Sequence, residues 1–161
     1  MSYRTILAEL QPECQAYALA VCRNRDDARD LVQNAFVRAM TTSSPPKDLT
    51  KIRSWMFRII RNLHLDLVRK RAVRREYFEA RSRLNEEVQS PAICPEDMIA
   101  FRRAFEKLTL AHREILYLVD IAGMTYEETA QVMGIPGGTV MSRISRARAA
   151  LIALCDDGKS K

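Results

Sequence analysis

Between Lys51 and Arg75 the chain reads KIRSWMFRIIRNLHLDLVRKRAVRR, with Asp66 as the only acid. Arginines in such a run can hold phosphates, an attraction that weakens as salt rises. An asparagine can read a base edge, and an exposed aromatic can stack on an unpaired base. Ile52, Met56, Ile59, Ile60, Leu63, Leu67 and Val68 recur at helical spacing, which predicts a helix with one apolar stripe. Arg58, Arg61, Asn62, Leu65 and Arg69 gather on another face. Trp55 and Phe57 stand near the helix start, where they either stack on bases or belong to the core. The bland account of the arginines is a solvated face. A membrane-surface helix fits less well, because the stripe is needed to pack against the preceding helices.

A second chemical signature lies in Thr125–Leu151, TYEETAQVMGIPGGTVMSRISRARAAL. Thr125 and Glu128 have capping-box spacing, in which each side chain satisfies the other's backbone N–H. Ala130, Val132 and Met133 supply the inward side of a short helix. Gly134 can take the left-handed conformation that ends it, and Pro136 suits the first turn of the next. Val140, Ile144, Ala147 and Leu151 then form a buried stripe. Thr139, Ser142, Arg143, Ser145 and Arg146 are left on or near the other side. This is the layout of a helix-turn-helix whose second helix enters a major groove.

The elements that must position these residues are helical throughout. The chain has 161 residues, few glycines and prolines, and a net charge of +6 with a pI near 9.4, which favours an anionic partner. Tyr3 to Cys22 carries Ile6, Leu7, Leu10, Cys14, Tyr17, Ala18 and Val21 at helical spacing and predicts a helix bent near Pro12. Asp26 or Asn24 can cap the next helix, Asp27 to Met40. Its inward side is Ala28, Leu31, Val32, Ala35, Phe36 and Ala39, and its outward side Asp30, Gln33, Asn34, Val37 and Arg38. Thr41 to Thr50, with Pro45-Pro46, reads as a loop. Residues 86–97 read as a linker. Beyond it, Ile99, Phe101, Ala104, Phe105 and Leu108 mark one helix, and Ile115, Leu116, Leu118, Val119 and Ile121 another that ends at Gly123.

The expected fold is therefore all-α: two small helical domains joined by a flexible linker, the second ending in the helix-turn-helix. No apolar run approaches the roughly 18 residues of a membrane span, and the first ten residues lack a signal-peptide layout, so the default compartment is the cytoplasm. Cys14, Cys22, Cys94 and Cys155 form no close pair, and His64 and His112 are isolated from them in sequence, which argues against a metal site. The sequence contains no glycine-rich phosphate loop or nucleophile elbow and no clustered acids, so neither a cofactor nor a catalytic activity is expected.

DARDLVQNAFVRAM, IRSWMFRIIRNLHLDLVRKR and LTLAHREILYLVDIAGMTYEETAQVMGIPGGTVMSRISRARAAL stand in this order. Together they resemble the extracytoplasmic-function (ECF) sigma factors of bacterial RNA polymerase over nearly the whole chain. The resemblance implies a region 2 domain over 1–85, the linker, a region 4 domain over 98–155 and a tail at 156–161. It assigns Asp30, Gln33 and Val37 to docking on the clamp helices of the largest subunit of core polymerase, with Asn34 where the family often has an acid. It assigns Trp55, Arg58, Arg61, Asn62, Asp66 and Arg69 to recognising and melting the −10 promoter element, where a flipped base enters a protein pocket. The second domain is implied to read the −35 element through Gly138, Thr139, Met141, Ser142, Arg143, Ser145 and Arg146, and to pack on the flap of the second-largest subunit. Met141 stands where many relatives carry arginine and suits a thymine methyl. The doubled Gly137-Gly138 weakens the helix by up to about 1 kcal/mol but allows close approach of a phosphate. An anti-sigma factor is implied as a sequestering partner.

Two other classes of protein share parts of this pattern. A sigma mimic that binds only an anti-sigma factor would not need the arginines of either helix. A stand-alone helix-turn-helix regulator would leave the outward face of Asp27 to Met40 unexplained.

Overall fold

The computed structural model describes residues 2–78 and 96–159. The chain divides into two compact units, Met1–Ser90 and Pro91–Lys161. Among the described residues there are helices and turns and no strand. The linker expected at 86–97 lies, apart from its last two residues, outside the described residues.

In the first unit, α1 (Tyr3–Cys22), α2 (Arg25–Thr41) and α3 (Ile52–Phe78) pack against one another. Ser2 caps α1, and Leu7, Leu10, Cys14, Tyr17, Ala18 and Val21 are buried on one side. The helix runs through Pro12 unbroken. Pro12 and Ala8 both face solvent, so water can reach the carbonyl that loses its N–H donor. Asn24 is the cap of α2, its Oδ1 accepting from the backbone N–H of Asp26 at 2.8 Å and Asp27 at 3.1 Å. Ala28, Leu31, Val32, Ala35 and Ala39 are buried as the pattern requires, while Phe36 is half-buried. The Tyr3 hydroxyl donates to the Ala39 carbonyl at 2.9 Å and ties the start of α1 to the end of α2. A 3₁₀ turn, Leu49–Lys51, leads into α3. Ile52, Met56, Phe57 and Ile60 are fully buried. Further along the stripe Leu63 and Leu67 are half-buried and Val68 is exposed, so only the first half of α3 is core.

The second unit holds α4 (Glu96–Lys107), α5 (Leu110–Leu116), a π-helical turn (Tyr117–Ile121), α6 (Tyr126–Met133) and α7 (Gly137–Lys159). α7 packs against α4, α5 and α6. The structure departs from the sequence pattern in three places. Ile99 and Phe101 lie on the exposed side of α4, and only Ala104 and Leu108 of that stripe are buried. The π turn closes with the Ala122 N–H donating to the Tyr117 carbonyl at 2.7 Å. Its extra residue shifts the helical phase at the end of the turn, and Ile121 is left exposed. On α6, Ala130 is half-buried and Thr129 takes the inward position beside Val132 and Met133. Two charged residues that no apolar pattern marks, Arg113 and Glu114, are buried in α5. The Arg113 Nη1 donates to the Leu108 carbonyl at 2.6 Å.

Candidate nucleic-acid interface

The helix-turn-helix is built by local chemistry. The Thr125 hydroxyl accepts from the Glu128 backbone N–H at 3.2 Å, and the Glu128 carboxylate accepts from the Thr125 N–H at 2.9 Å. This reciprocal cap satisfies two donors that open the helix. Gly134 ends α6 at φ +65, a conformation that costs glycine nothing. The Pro136 carbonyl accepts from the Thr139 N–H at 3.0 Å, so Pro136 stands immediately before α7.

On α7, Val140, Ile144 and Ala147 are buried, and Leu151 is half-buried. Gly138, Met141, Ser142, Ser145 and Arg146 are exposed on the opposite side, with Thr139 and Arg143 half-buried on its flank. Met141 is 62% exposed, an apolar surface unpaired by the fold and free for a ligand's methyl group. The Ser142 hydroxyl donates to the Thr139 carbonyl at 3.1 Å, so it offers a ligand its acceptor lone pairs. Among the described residues neither Arg143 nor Arg146 forms an ion pair. Nothing lies within 4 Å of where a Cβ would stand on Gly137 or Gly138, so the helix start is open to close approach.

On α3 the spacing of 100° per residue puts Trp55, Arg58, Asn62, Asp66 and Arg69 within about 80° of one another. The strip faces away from Ile52, Met56 and Ile60. Arg58, Asn62, Asp66 and Arg69 are exposed, and Arg61 is half-buried at the strip's edge. Arg69 and Asp66 pair at 3.4 Å with both side chains largely in water, a contact of little energy. The two aromatics separate. Trp55 is half-buried, its ring centroid 6.4 Å from that of Tyr3. Phe57 has no exposure and packs on Tyr17 at 4.8 Å between centroids, with the Arg53 guanidinium 5.6 Å above its ring. Phe57 is therefore core and unavailable to a base. Its ring lies on the side of α3 that α1 covers, one helical turn from Arg53, whose Nε donates to Glu13 at 2.7 Å.

On α2, Asp30, Gln33, Asn34 and Val37 are all exposed on one strip opposite the buried alanines. Val37 is 56% exposed. Below this strip Asp27 accepts two bonds from Arg71 of α3, at 2.9 and 3.0 Å. The pairing fixes α2 against the second half of α3.

Two features escape sequence reading because they join distant residues. Arg148 of α7 forms a two-point ion pair with Asp120 of the π turn. The Cys22 sulfur lies 3.4 Å from His64 Nδ1, although the two are far apart in sequence. Cys14 is sealed in the core, and burial, with a lesser contribution from the Glu13 charge, pushes its thiol up to about 12. Among the described residues no group of three or more His, Cys, Asp or Glu could hold a metal. No described helix is long and apolar enough to cross a membrane.

A three-helix unit with a basic strip, and a second unit ending in a helix-turn-helix, define a two-part helical DNA-binding protein. The family model for Sigma-70 region 2 matches residues 6–74, and that for Sigma-70, region 4 matches residues 98–151. The ECF RNA polymerase sigma factor EcfG of Rhodopseudomonas palustris is 34% identical over 155 residues, covering 95% of this chain and 84% of that protein. The RNA polymerase sigma factor CnrH of Cupriavidus metallidurans is 35% identical over 146 residues, covering 84% and 76%. The solved sigma factor RpoE of Bartonella quintana, crystallised with the anti-sigma factor NepR, superposes with a TM-score of 0.82 at 27% identity and covers 96% of both chains. The chain belongs to the sigma-70 family, within its ECF group of RNA polymerase sigma factors.

Proposed function

We propose that this sigma factor joins core RNA polymerase through Asp30, Gln33, Asn34 and Val37, and reads promoters with one strip in each unit. Trp55, Arg58, Arg61, Asn62, Asp66 and Arg69 take the −10 element and hold its opened strand. Gly138, Thr139, Met141, Ser142, Arg143, Ser145 and Arg146 take the −35 element. Residues 1–85 then act as region 2, 86–97 as the linker, 98–155 as region 4 and 156–161 as a tail. The protein contributes binding and strand capture, while phosphodiester chemistry belongs to the polymerase. It works in the cytoplasm at the nucleoid, and an anti-sigma factor holds it inactive until a signal releases it. The solved relative with its anti-sigma factor supports that last step.

The observation that carries this reading is the exposed strip of Arg58, Asn62, Asp66 and Arg69, with half-buried Trp55 at its start, on the side of α3 away from the core. A mimic that binds only an anti-sigma factor has no use for it. The exposed polar strip of α2 likewise has no role in a regulator that works alone. Footprinting of promoter DNA with core polymerase and this protein tests the reading. Protection of two separate elements, appearing only when both proteins are present, is expected. Full protection by this protein alone would favour the stand-alone regulator, and none with either arrangement would favour the mimic.

A further inference from the structure

The recognition helix carries a third arginine, Arg148, that is placed differently from Arg143 and Arg146. Arg148 Nη2 meets Asp120 Oδ1 at 2.6 Å, and Arg148 Nε meets Asp120 Oδ2 at 3.1 Å. Two parallel bonds from a planar fork fix orientation as well as distance. Asp120 sits in the π turn, whose closing bonds run from the Ala122 N–H to Tyr117 and from the Met124 N–H to Leu118 at 2.9 Å. Asp120, through these bonds and its charge, is the main cause that raises the guanidinium's pKa, with a lesser contribution from Tyr126 at the start of α6. One side chain of α7 thus holds the turn that precedes the helix-turn-helix.

The position of this contact along α7 gives it leverage. Arg148 lies seven residues beyond Met141, nearly two turns, so the two stand on almost the same line of the helix about 10 Å apart. Val140, Ile144 and Ala147 hold α7 from its apolar side, and the two-point ion pair adds a directional contact on the other side. A change of tilt of about 10° at the clamp moves a side chain 10 Å away by roughly 2 Å, enough to lose a base-edge hydrogen bond.

We propose that Asp120 and Arg148 are positioning residues for −35 selectivity: their paired bonds set the tilt of α7 and withhold Arg148 from DNA. The inference rests on the reading of α7 as the −35 reader. A holoenzyme of core polymerase with this protein, offered a promoter library randomised at the −35 element, would define the preferred sequence. Binding to that sequence and to a scrambled one is then compared for Asp120→Asn, for Arg148→Lys and for the exchanged pair Asp120→Arg with Arg148→Asp.

Each single variant is expected to lose about tenfold in discrimination, the amount one good base contact supplies, with an unchanged salt slope. The exchanged pair is expected to recover discrimination. Tighter binding of Asp120→Asn to every sequence, with a steeper salt slope, would overturn the proposal, because a freed Arg148 would then be a phosphate contact. Unchanged discrimination in the single variants would overturn it too. A second measurement needs no DNA: amide exchange at Ala122 and Met124 should quicken in Arg148→Lys, and unchanged exchange there contradicts the clamp. If the wild-type holoenzyme prefers no −35 sequence, the −35 reading of α7 fails, while the exchange measurement still decides whether the clamp exists.

Discussion

Thr129 occupies an inward position on α6 with no exposed surface, and its hydroxyl oxygen has no hydrogen-bond partner among the described residues. A buried hydroxyl stripped of water and given nothing in return costs about 1–3 kcal/mol. Thr129→Val replaces that group with a methyl of nearly the same shape, keeps the β-branch and changes helix propensity little. The structure therefore predicts a gain of about 1–2 kcal/mol in the second unit. For a domain of this size each 1 kcal/mol moves Tm by about 4–8 °C. Differential scanning calorimetry of the full chain should show the transition of the unit Pro91–Lys161 moved upward, with that of the first unit unmoved. The exposed strip of α7 is untouched, so −35 selectivity should be retained. A Tm unchanged or lowered for the second unit would mean that the hydroxyl is satisfied in solution.

Phe57→Ala should cost about 3–5 kcal/mol of first-unit stability, measured by urea unfolding. Trp55→Ala, from a half-buried site, should leave the fold intact and impair strand opening, read by permanganate reactivity at the −10 element. Cys14 has a folded pKa of about 12 against an ordinary 9.0. Its folded value lies above the unfolded one, so its contribution is complete below pH 9 and is lost as pH climbs toward 12. The loss has a limiting slope of about 1.4 kcal/mol per pH unit. Urea midpoints of Cys14→Ala across that range should lack this component. Asn62→Ala should impair opening mainly through the −10 element, whereas Arg146→Ala should weaken −35 binding by about 1–3 kcal/mol if it reads a base. An equal Arg146→Ala effect on all −35 sequences, measured by competition binding, would mark a phosphate contact instead.

The features legible in the sequence are those that depend on near neighbours. The capping box of Thr125 and Glu128, the left-handed Gly134 and the buried line of Val140, Ile144 and Ala147 all arise from residues within a few positions of one another. The outward strips of α2 and α7 come from the same periodicity. Trp55 and Phe57 could not be sorted this way, because they are two positions apart and either could face α1. Only the packing on Tyr17 decides the matter. Ile99 and Phe101 share the helical pattern and are large and apolar, yet Ala104 and, just past the end of α4, Leu108 define the side that meets the bundle. The phase of the π turn, which leaves Ile121 in water and brings Asp120 to Arg148, depends on backbone bonds that no residue pattern announces.

As a sigma factor, this chain is expected to direct core polymerase to start at a promoter. Run-off transcription from a promoter selected with the holoenzyme tests it most directly, using core polymerase with and without the protein. A transcript of one defined length that appears only when the protein is added is the predicted result. Promoter binding by the protein without any start-site-specific transcript from core polymerase would rule out a role as a sigma factor.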